Sequence, residues 1–229
     1  MKKGIYLVCI LICIFVVAAC TPLTSDTEAG AVSSVESAPI SEEDGTLVIT
    51  NSADMLKAYN DYDALIKDAE NIFTGKSIDV STIFENDTLY TISSVVVEKV
   101  YKGNFKPGDT ILIDEVGGKT TLGEYVKGTN TVAKDFDEKE NLDMNQKVLV
   151  GFDGFFPIQP NEELLLFANS SNGFYKSIAD NTYYVVGSYA GKFLKTEGFF
   201  ERAQDEKDEN YKALKISEKE LDELLTSIQ

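Results

Sequence analysis

The chain of 229 residues contains no histidine and no tryptophan, and it has only three cysteines. Histidine is the commonest general base, the usual partner of a catalytic serine or cysteine, and the usual zinc ligand. Its absence excludes most familiar hydrolase mechanisms. We therefore predict that the protein is not an enzyme and that it holds no catalytic residue, no metal and no cofactor.

Basic residues are also scarce, because 21 Lys and Arg stand against 38 Asp and Glu and give a formal net charge of -17 at pH 7. Lys2 and Lys3 lie in the N-terminal segment that we expect to be a cleaved signal peptide. The mature chain is then more acidic still. Such a charge repels phosphate groups and anionic lipid headgroups. The composition argues against nucleic acid as a partner and against electrostatic docking to a membrane.

An unbroken apolar run covers residues 5–17 and follows the basic start of the chain. It is shorter than the roughly 20 residues of a typical membrane span but has the length of a signal-peptide core. The run ends in Val17-Ala18-Ala19-Cys20, which resembles the lipobox of bacterial lipoproteins. The resemblance implies a signal peptide over residues 1–19 and a diacylglycerol on the Cys20 thiol. The alternatives are an uncleaved N-terminal membrane helix and an ordinary signal cut near Ala19.

Two acyl chains, at about 0.8 kcal/mol per buried methylene, are enough for a stable anchor. We expect the protein on the outer, extracytoplasmic face of the cell membrane, and its Lys, Ile and Asn usage predicts a Gram-positive source. Cys9 and Cys13 would leave with the signal, so the mature chain cannot form an internal disulfide. Stability must then come from packing.

Residues 20–44 are rich in Ser, Thr, Ala and Glu and, after Cys20, contain two prolines and no Lys or Arg. This composition is typical of a flexible acidic tether. Hydrophobic residues make up 43% of the chain and aromatic residues 10%, which is enough for a packed core. Residues 45–229 are therefore predicted to form one folded domain.

Apolar residues at helical spacing after Ser52, a good N-cap, predict a helix over residues 53–70. Strand-like alternation follows, and Pro107-Gly108 fits the centre of a type II turn. Strands are predicted at 78–82, 89–101, 110–114, 147–152, 163–168, 183–187 and 192–196, with turns at 153–154 and 172–173. Ser217 and Glu220 form a capping-box pattern before a C-terminal amphipathic helix. Many short strands are typical of a β-barrel or sandwich.

Several signatures between about residues 60 and 197 resemble one family. They are Tyr101-Lys102-Gly103, Pro107-Gly108-Asp109, Gly117-Gly118, Asn161 to Phe167, and Val186 to Phe193. They look like the secreted bacterial domains whose fold is similar to tissue inhibitors of metalloproteases (TIMP). The resemblance implies a mainly β, OB-like or TIMP-like barrel, here with an N-terminal helix and a C-terminal amphipathic helix, and it implies a fold more than an activity. The animal inhibitors chelate zinc through a free N-terminal cysteine, so a lipidated Cys20 argues against that inhibition.

Three further regions carry candidate sites. The acidic clusters at 135–140 and 205–209 offer enough carboxylates for Ca²⁺, but neither matches an EF-hand loop, and solvated surface is the better interpretation. The segment 119–145 has few apolar residues and is predicted to be a long loop, and loops of this length are usually functional, disordered or a sign of a misassigned element. Its two interpretations are a partner surface and a mobile insertion without a role. Phe155-Phe156-Pro157 and Phe199-Phe200 could form an exposed aromatic platform or belong to the core.

We hypothesise that the protein is a membrane-anchored extracytoplasmic binding or interaction module with a protein or glycan partner. The alternative is a carboxylate-dependent hydrolase of cell-wall or extracellular polymer, which needs only two carboxylates across a cleft. A third hypothesis is a sensory or stress-related accessory lipoprotein without a ligand pocket. Two buried carboxylates with raised pKa in one cleft would favour the hydrolase.

Overall fold

The computed structural model describes residues 40–43, 45–51, 57–129, 143–152, 154–171, 181–202 and 213–226, and the part it describes is mainly β. Its strands are β1 (Ile40–Glu43), β2 (Thr46–Asn51), β3 (Asn71–Glu85), β4 (Thr88–Lys102), β5 (Thr110–Val116), β6 (Gly118–Thr121), β7 (Lys147–Phe152), β8 (Glu163–Ser170), β9 (Thr182–Val185), β10 (Lys192–Thr196), β11 (Phe199–Arg202) and β12 (Leu214–Ile216). Its helices are α1 (Tyr62–Asp68), α2 (Leu122–Gly128) and α3 (Glu218–Thr226). The mainly β class predicted from the sequence is confirmed.

Within the described residues, the larger sheet has eight strands in the order β12-β11-β10-β8-β3-β4-β5-β9. All neighbours in it are antiparallel except β5 and β9, which are parallel. Strand β9 also pairs antiparallel with β8. Each of the strands β3, β4, β5, β9 and β8 therefore has hydrogen-bonded neighbours on both sides, in the cyclic order β8-β3-β4-β5-β9-β8.

The smaller sheet has the order β1-β2-β7-β6. Strands β1 and β2 form a hairpin in which Glu43 lies opposite Thr46, and Gly45 takes a φ of 73° in the turn between them. A two-residue turn of this kind favours Asp-Gly, and the sequence has Asp44-Gly45 at this point. Strand β1 thus occupies the end of the segment that was predicted to be a tether.

Helix α1 is shorter than predicted. It begins after Asp61, whose side chain accepts a hydrogen bond from the Ala64 backbone N–H, and the residues from 57 to 61 are not helical. The predicted cap Ser52 lies outside the described residues. An aspartate is a strong N-cap, so it overrides the apolar spacing that continues upstream. Leu65 and Ile66 of α1 are buried in the core.

The C-terminal helix begins as predicted. The Ser217 backbone N–H donates to Glu220 Oε2 over 2.9 Å, and the Glu220 N–H donates to Ser217 Oγ over 3.2 Å. Leu221 and Leu225 bury the apolar face of α3 in a cluster that also holds Ile72 and Phe193. The capping box and the amphipathic pattern are therefore both confirmed.

The predicted turn at 106–109 is also confirmed, because the Asp109 N–H donates to the Lys106 carbonyl over 3.0 Å and Gly108 has a φ of 93°. The predicted loop 119–145 is wrong in its first part, which holds most of β6 and all of α2. The Thr121 hydroxyl and the Glu124 carboxylate cap α2 reciprocally, and Leu122 and Tyr125 are buried. These short elements were missed from the sequence because each buries too few apolar residues to show a clear helical or strand-like spacing. Among the described helices, none is long and apolar enough to cross a membrane.

Candidate functional site

A cavity of about 120 Å³ lies where β5, β7 and the segment before β10 meet. The part of its lining that falls on described residues is mostly apolar or aromatic and includes one carboxylate and one ammonium group. The lining residues are Glu115, Val116, Phe152, Phe155, Phe156, Pro157, Ser188, Tyr189 and Lys192. Ser188 is exposed at the rim, so the cavity is reachable from solvent.

The polar part of the cavity is a buried ion pair. Lys192 Nζ lies 2.5 Å from Glu115 Oε1, and the side chains of the two residues are only 9% and 5% exposed. Lys192 Nζ also donates to the Phe156 carbonyl over 2.6 Å. The second carboxylate oxygen, Oε2, accepts from the Ile158 backbone N–H over 2.8 Å. Both charges are thus paired, and each has a further hydrogen bond to the backbone, which a buried ion pair needs in order to offset its desolvation.

The aromatic wall is built by a tight turn after β7. Phe152 and Phe155 exchange both backbone hydrogen bonds, at 2.9 and 2.7 Å, across the predicted turn at 153–154. The Phe155 ring then stacks on Tyr189, with centroids 4.1 Å apart and planes 6° from parallel. A side chain at Gly151 would place its Cβ 2.4 Å from the Phe155 carbonyl oxygen, so glycine is what allows this turn to lie so close.

The predicted aromatic residues divide between the cavity and other places. Phe155, Phe156 and Pro157 line the cavity, whereas Phe200 is 2% exposed in the core. Phe199 is 37% exposed and outside the lining, because neighbouring residues of β11 point to opposite faces. Residues 155–157 therefore form a pocket wall, and they do not combine with residues 199–200 into one exposed platform.

A second polar cluster lies around Asp114, the residue before Glu115 on β5. Asp114 is 4% exposed, and its Oδ1 accepts a hydrogen bond from Ser171 Oγ over 2.9 Å. The Thr182 hydroxyl in turn donates to Ser171 Oγ over 2.9 Å. Burial raises the pKa of the Asp114 carboxyl, and the hydroxyl groups around it oppose that shift. This cluster offers hydroxyl donors to a buried carboxylate but no cation.

A third carboxylate, Glu162, also has a raised pKa. Burial is the main cause, and the nearby Glu115 carboxylate adds to it, while a backbone hydrogen bond from Gln159 and the Lys192 ammonium oppose it. Neither Glu162 nor Asp114 belongs to the cavity lining. Among the described residues the cavity lining therefore holds one carboxylate, and the two carboxylates whose pKa is raised lie outside it.

Several predicted sites lie outside the described residues. They are the lipid-carrying Cys20 and the acidic clusters at 135–140 and 205–209. Within the described ranges, no three Asp, Glu or Cys side chains are grouped closely enough to hold a metal ion.

The two residues that matter most in the cavity were not singled out from the sequence. Glu115 falls on the same strand face as the buried residues Ile111 and Ile113, and this alternation indicates an inward carboxylate that needs a partner. Its partner Lys192 is 77 residues away in the chain. Only the fold brings the pair together.

Comparison of the chain with protein-family models, with curated proteins and with solved structures finds no match.

Proposed function

We propose that the protein is a lipid-anchored extracytoplasmic binding module, and that the cavity beside the Lys192–Glu115 pair is its ligand site. The observation that carries the proposal is the cavity itself. It joins stacked aromatic side chains to a buried ion pair, and its rim at Ser188 is open to solvent. Concave apolar sites with a few fixed polar groups are where proteins bind ligands.

The anchor rests on the lipobox at residues 17–20. In this proposal a diacylated Cys20 holds the domain on the outer face of a Gram-positive cell membrane, and the segment before β1 spaces it from the surface. The Cys20→Ala variant should move from the membrane fraction into the medium or accumulate as unprocessed precursor. Unchanged fractionation and an unchanged mass would contradict the anchor.

We also propose that the fold is an OB-like barrel. The cyclic pairing of β8, β3, β4, β5 and β9 supports this, since a barrel requires each strand to have two neighbours. The parallel pairing of β5 with β9 and the position of α2 between β5 and β8 fit the same topology. A barrel of five strands has an interior filled by side chains, so a ligand must bind beside it. The cavity beyond the end of β5 fits that requirement.

The alternative, a carboxylate-dependent hydrolase, has weaker support. That chemistry needs two carboxyl groups facing one substrate, one of them with a raised pKa. Glu115 is the carboxylate in the cavity lining, and both of its oxygens already have partners. The binding module is therefore the better account of the residues that line the cavity.

The binding role can be tested by photo-crosslinking on intact cells. A photoreactive amino acid at Ser188, on the cavity rim, should capture one specific extracytoplasmic partner or ligand. The same amino acid at Phe199, which is exposed but outside the lining, should not capture it. Equal products from both positions, or none from Ser188, would contradict a ligand site at the cavity.

A further inference from the structure

We infer that the cavity takes a single uncharged aromatic side chain of a peptide, together with a backbone carbonyl oxygen that accepts a hydrogen bond from Lys192. This inference rests on the proposed function and names the ligand class of the same site. Three properties of the cavity lead to it: its volume, its polar groups and its charge balance.

The volume admits one ring. A cavity of about 120 Å³ is comparable with the roughly 150 Å³ cavity that binds benzene, and it is well below the roughly 300 Å³ at which pockets for whole drug-sized ligands begin. A single side chain anchored in a pocket is a common way for one protein to hold another. The aromatic side chains of Phe155 and Tyr189 in the lining provide apolar contacts for the guest ring.

The polar groups provide one donor for the guest. An ammonium group has three N–H donors, and Lys192 uses one on Glu115 and one on the Phe156 carbonyl. These are the two hydrogen bonds of Lys192 within the described part of the chain, and in this inference its third N–H donates to the ligand. One oxygen acceptor beside an apolar body satisfies this donor.

The same count argues against a sugar. A sugar ring carries several hydroxyl groups, and each one that is buried without a partner costs free energy. Each oxygen of Glu115 already accepts one hydrogen bond, from Lys192 or from the Ile158 N–H, so about two of the four acceptor sites of this carboxylate are already used. A glycan would leave most of its hydroxyl groups unsatisfied here.

The charge balance indicates an uncharged acceptor. Lys192 and Glu115 neutralise each other at 2.5 Å, so a ligand carboxylate would add an unpaired negative charge to a buried site. The formal net charge of -17 opposes an acidic ligand further. A peptide carbonyl is neutral and meets both conditions.

The test is a titration of the full chain in detergent with three small probes, followed by saturation-transfer NMR. N-acetyl-L-phenylalanine amide should bind saturably. N-acetyl-L-phenylalanine, which carries a carboxylate, should bind at least about tenfold more weakly, and N-acetylglucosamine should not bind. Binding of the sugar in preference to the amide, or of no probe at all, would overturn the inference.

Two variants locate the binding. Val116 belongs to the cavity lining, so the larger side chain of Val116→Phe should reduce the cavity volume and abolish the signal of the amide probe. The double variant Glu115→Gln with Lys192→Met removes the charged donor without leaving an unpaired charge and leaves only the neutral amide donor of the new side chain. It should weaken amide binding about tenfold or more, since a hydrogen bond from a charged donor is lost. Thermal unfolding must show that both variants fold. Undiminished binding in folded Val116→Phe would place the probe elsewhere and overturn the inference.

Failure of this inference can be distinguished from failure of the proposed function. If the probes do not bind but Ser188 still captures a partner on cells, only the ligand class is wrong. If the amide binds but Ser188 captures nothing, the chemistry of the cavity stands and the proposed function is wrong.

Discussion

Two consecutive carboxylates of β5 are almost equally buried but have different partners. Glu115 faces the cavity and is held by the ammonium group of Lys192 and the N–H of Ile158. Asp114 points to the other face of the strand and is held by the Ser171 hydroxyl group. Burial raises the pKa of Asp114 because no cation compensates for the lost water. The comparison teaches that the partner, rather than burial, determines what a buried acid can do.

The same comparison separates structure from function on one strand. The Asp114 cluster consists of short side chains that satisfy one another. The Glu115 cluster includes the Lys192 ammonium group, which makes two hydrogen bonds among the described residues and lies beside a cavity lined by aromatic rings. A ligand can use the second arrangement. The predictions below alter one partner at a time, from the largest expected effect to the smallest.

The largest effect is expected from Lys192→Met, which leaves the Glu115 carboxylate buried without its cation. Removing one member of a buried pair costs about 3–5 kcal/mol of unfolding free energy. Urea unfolding followed by circular dichroism measures this loss. The matched control is the double variant with Glu115→Gln, which removes both charges and should stay within about 1 kcal/mol of wild type. A loss below about 1 kcal/mol in Lys192→Met would mean that water already solvates the pair.

A smaller loss is expected from Ser171→Ala at neutral pH. It removes the hydroxyl donor to a buried carboxylate, and a hydrogen bond to a charged group contributes about 1.5–3 kcal/mol. The neighbouring Ser170→Ala, on the half-buried last residue of β8, should change the unfolding free energy by less than about 0.5 kcal/mol. If both variants behaved alike, the Asp114 cluster would not be the polar contact that we describe.

Asp114→Asn should reveal the raised pKa as a pH dependence. A carboxyl whose pKa is raised by folding contributes stability below its ordinary pKa, near 3.8, and this contribution is lost as the pH rises through the folded value. The asparagine variant lacks this loss, so its stability relative to wild type should increase between pH 4 and pH 7. Chemical unfolding at several pH values checks the direction. A relative stability that fell over this range would show that the pKa is lowered.

The smallest effect is expected from Asp222→Asn, which breaks an ion pair in water. Lys99 Nζ lies 2.6 Å from Asp222 Oδ1, but the two side chains are 44% and 49% exposed. Such surface pairs contribute at most about 1 kcal/mol, and salt screens them. Unfolding at low and high salt should give a small loss that disappears at high salt. A loss as large as that of Lys192→Met would contradict the role that we assign to burial.

Much of the fold could be predicted from local patterns. The alternation in β4 and β5, the Pro107-Gly108 turn and the Ser217 capping box are set by neighbouring residues, and each is confirmed. Helix α1 and strand β6 were harder to predict because they are short, and the Asp61 cap decided where α1 begins. The tether prediction overlooked the Asp44-Gly45 turn signal.

The candidate site could be predicted only in part. The aromatic group at 155–157 was identified from sequence, but whether it formed a platform, a pocket wall or core depended on the position of Tyr189. Strand periodicity could have placed Glu115 inward, but this residue was not singled out from the sequence. The partner Lys192 and the free space beside it depend on how β5, β7 and β10 approach one another, and no local pattern contains that information.

The most direct test of the central claim is the photo-crosslinking from Ser188 repeated in a Val116→Phe background. Filling the cavity leaves the membrane anchor, the rim and the Lys192–Glu115 pair in the chain, so only the ligand volume changes. We predict that the product captured from Ser188 in the wild-type background disappears, while the amount of anchored protein stays the same. An undiminished product would contradict the claim that the cavity is where this protein binds its ligand.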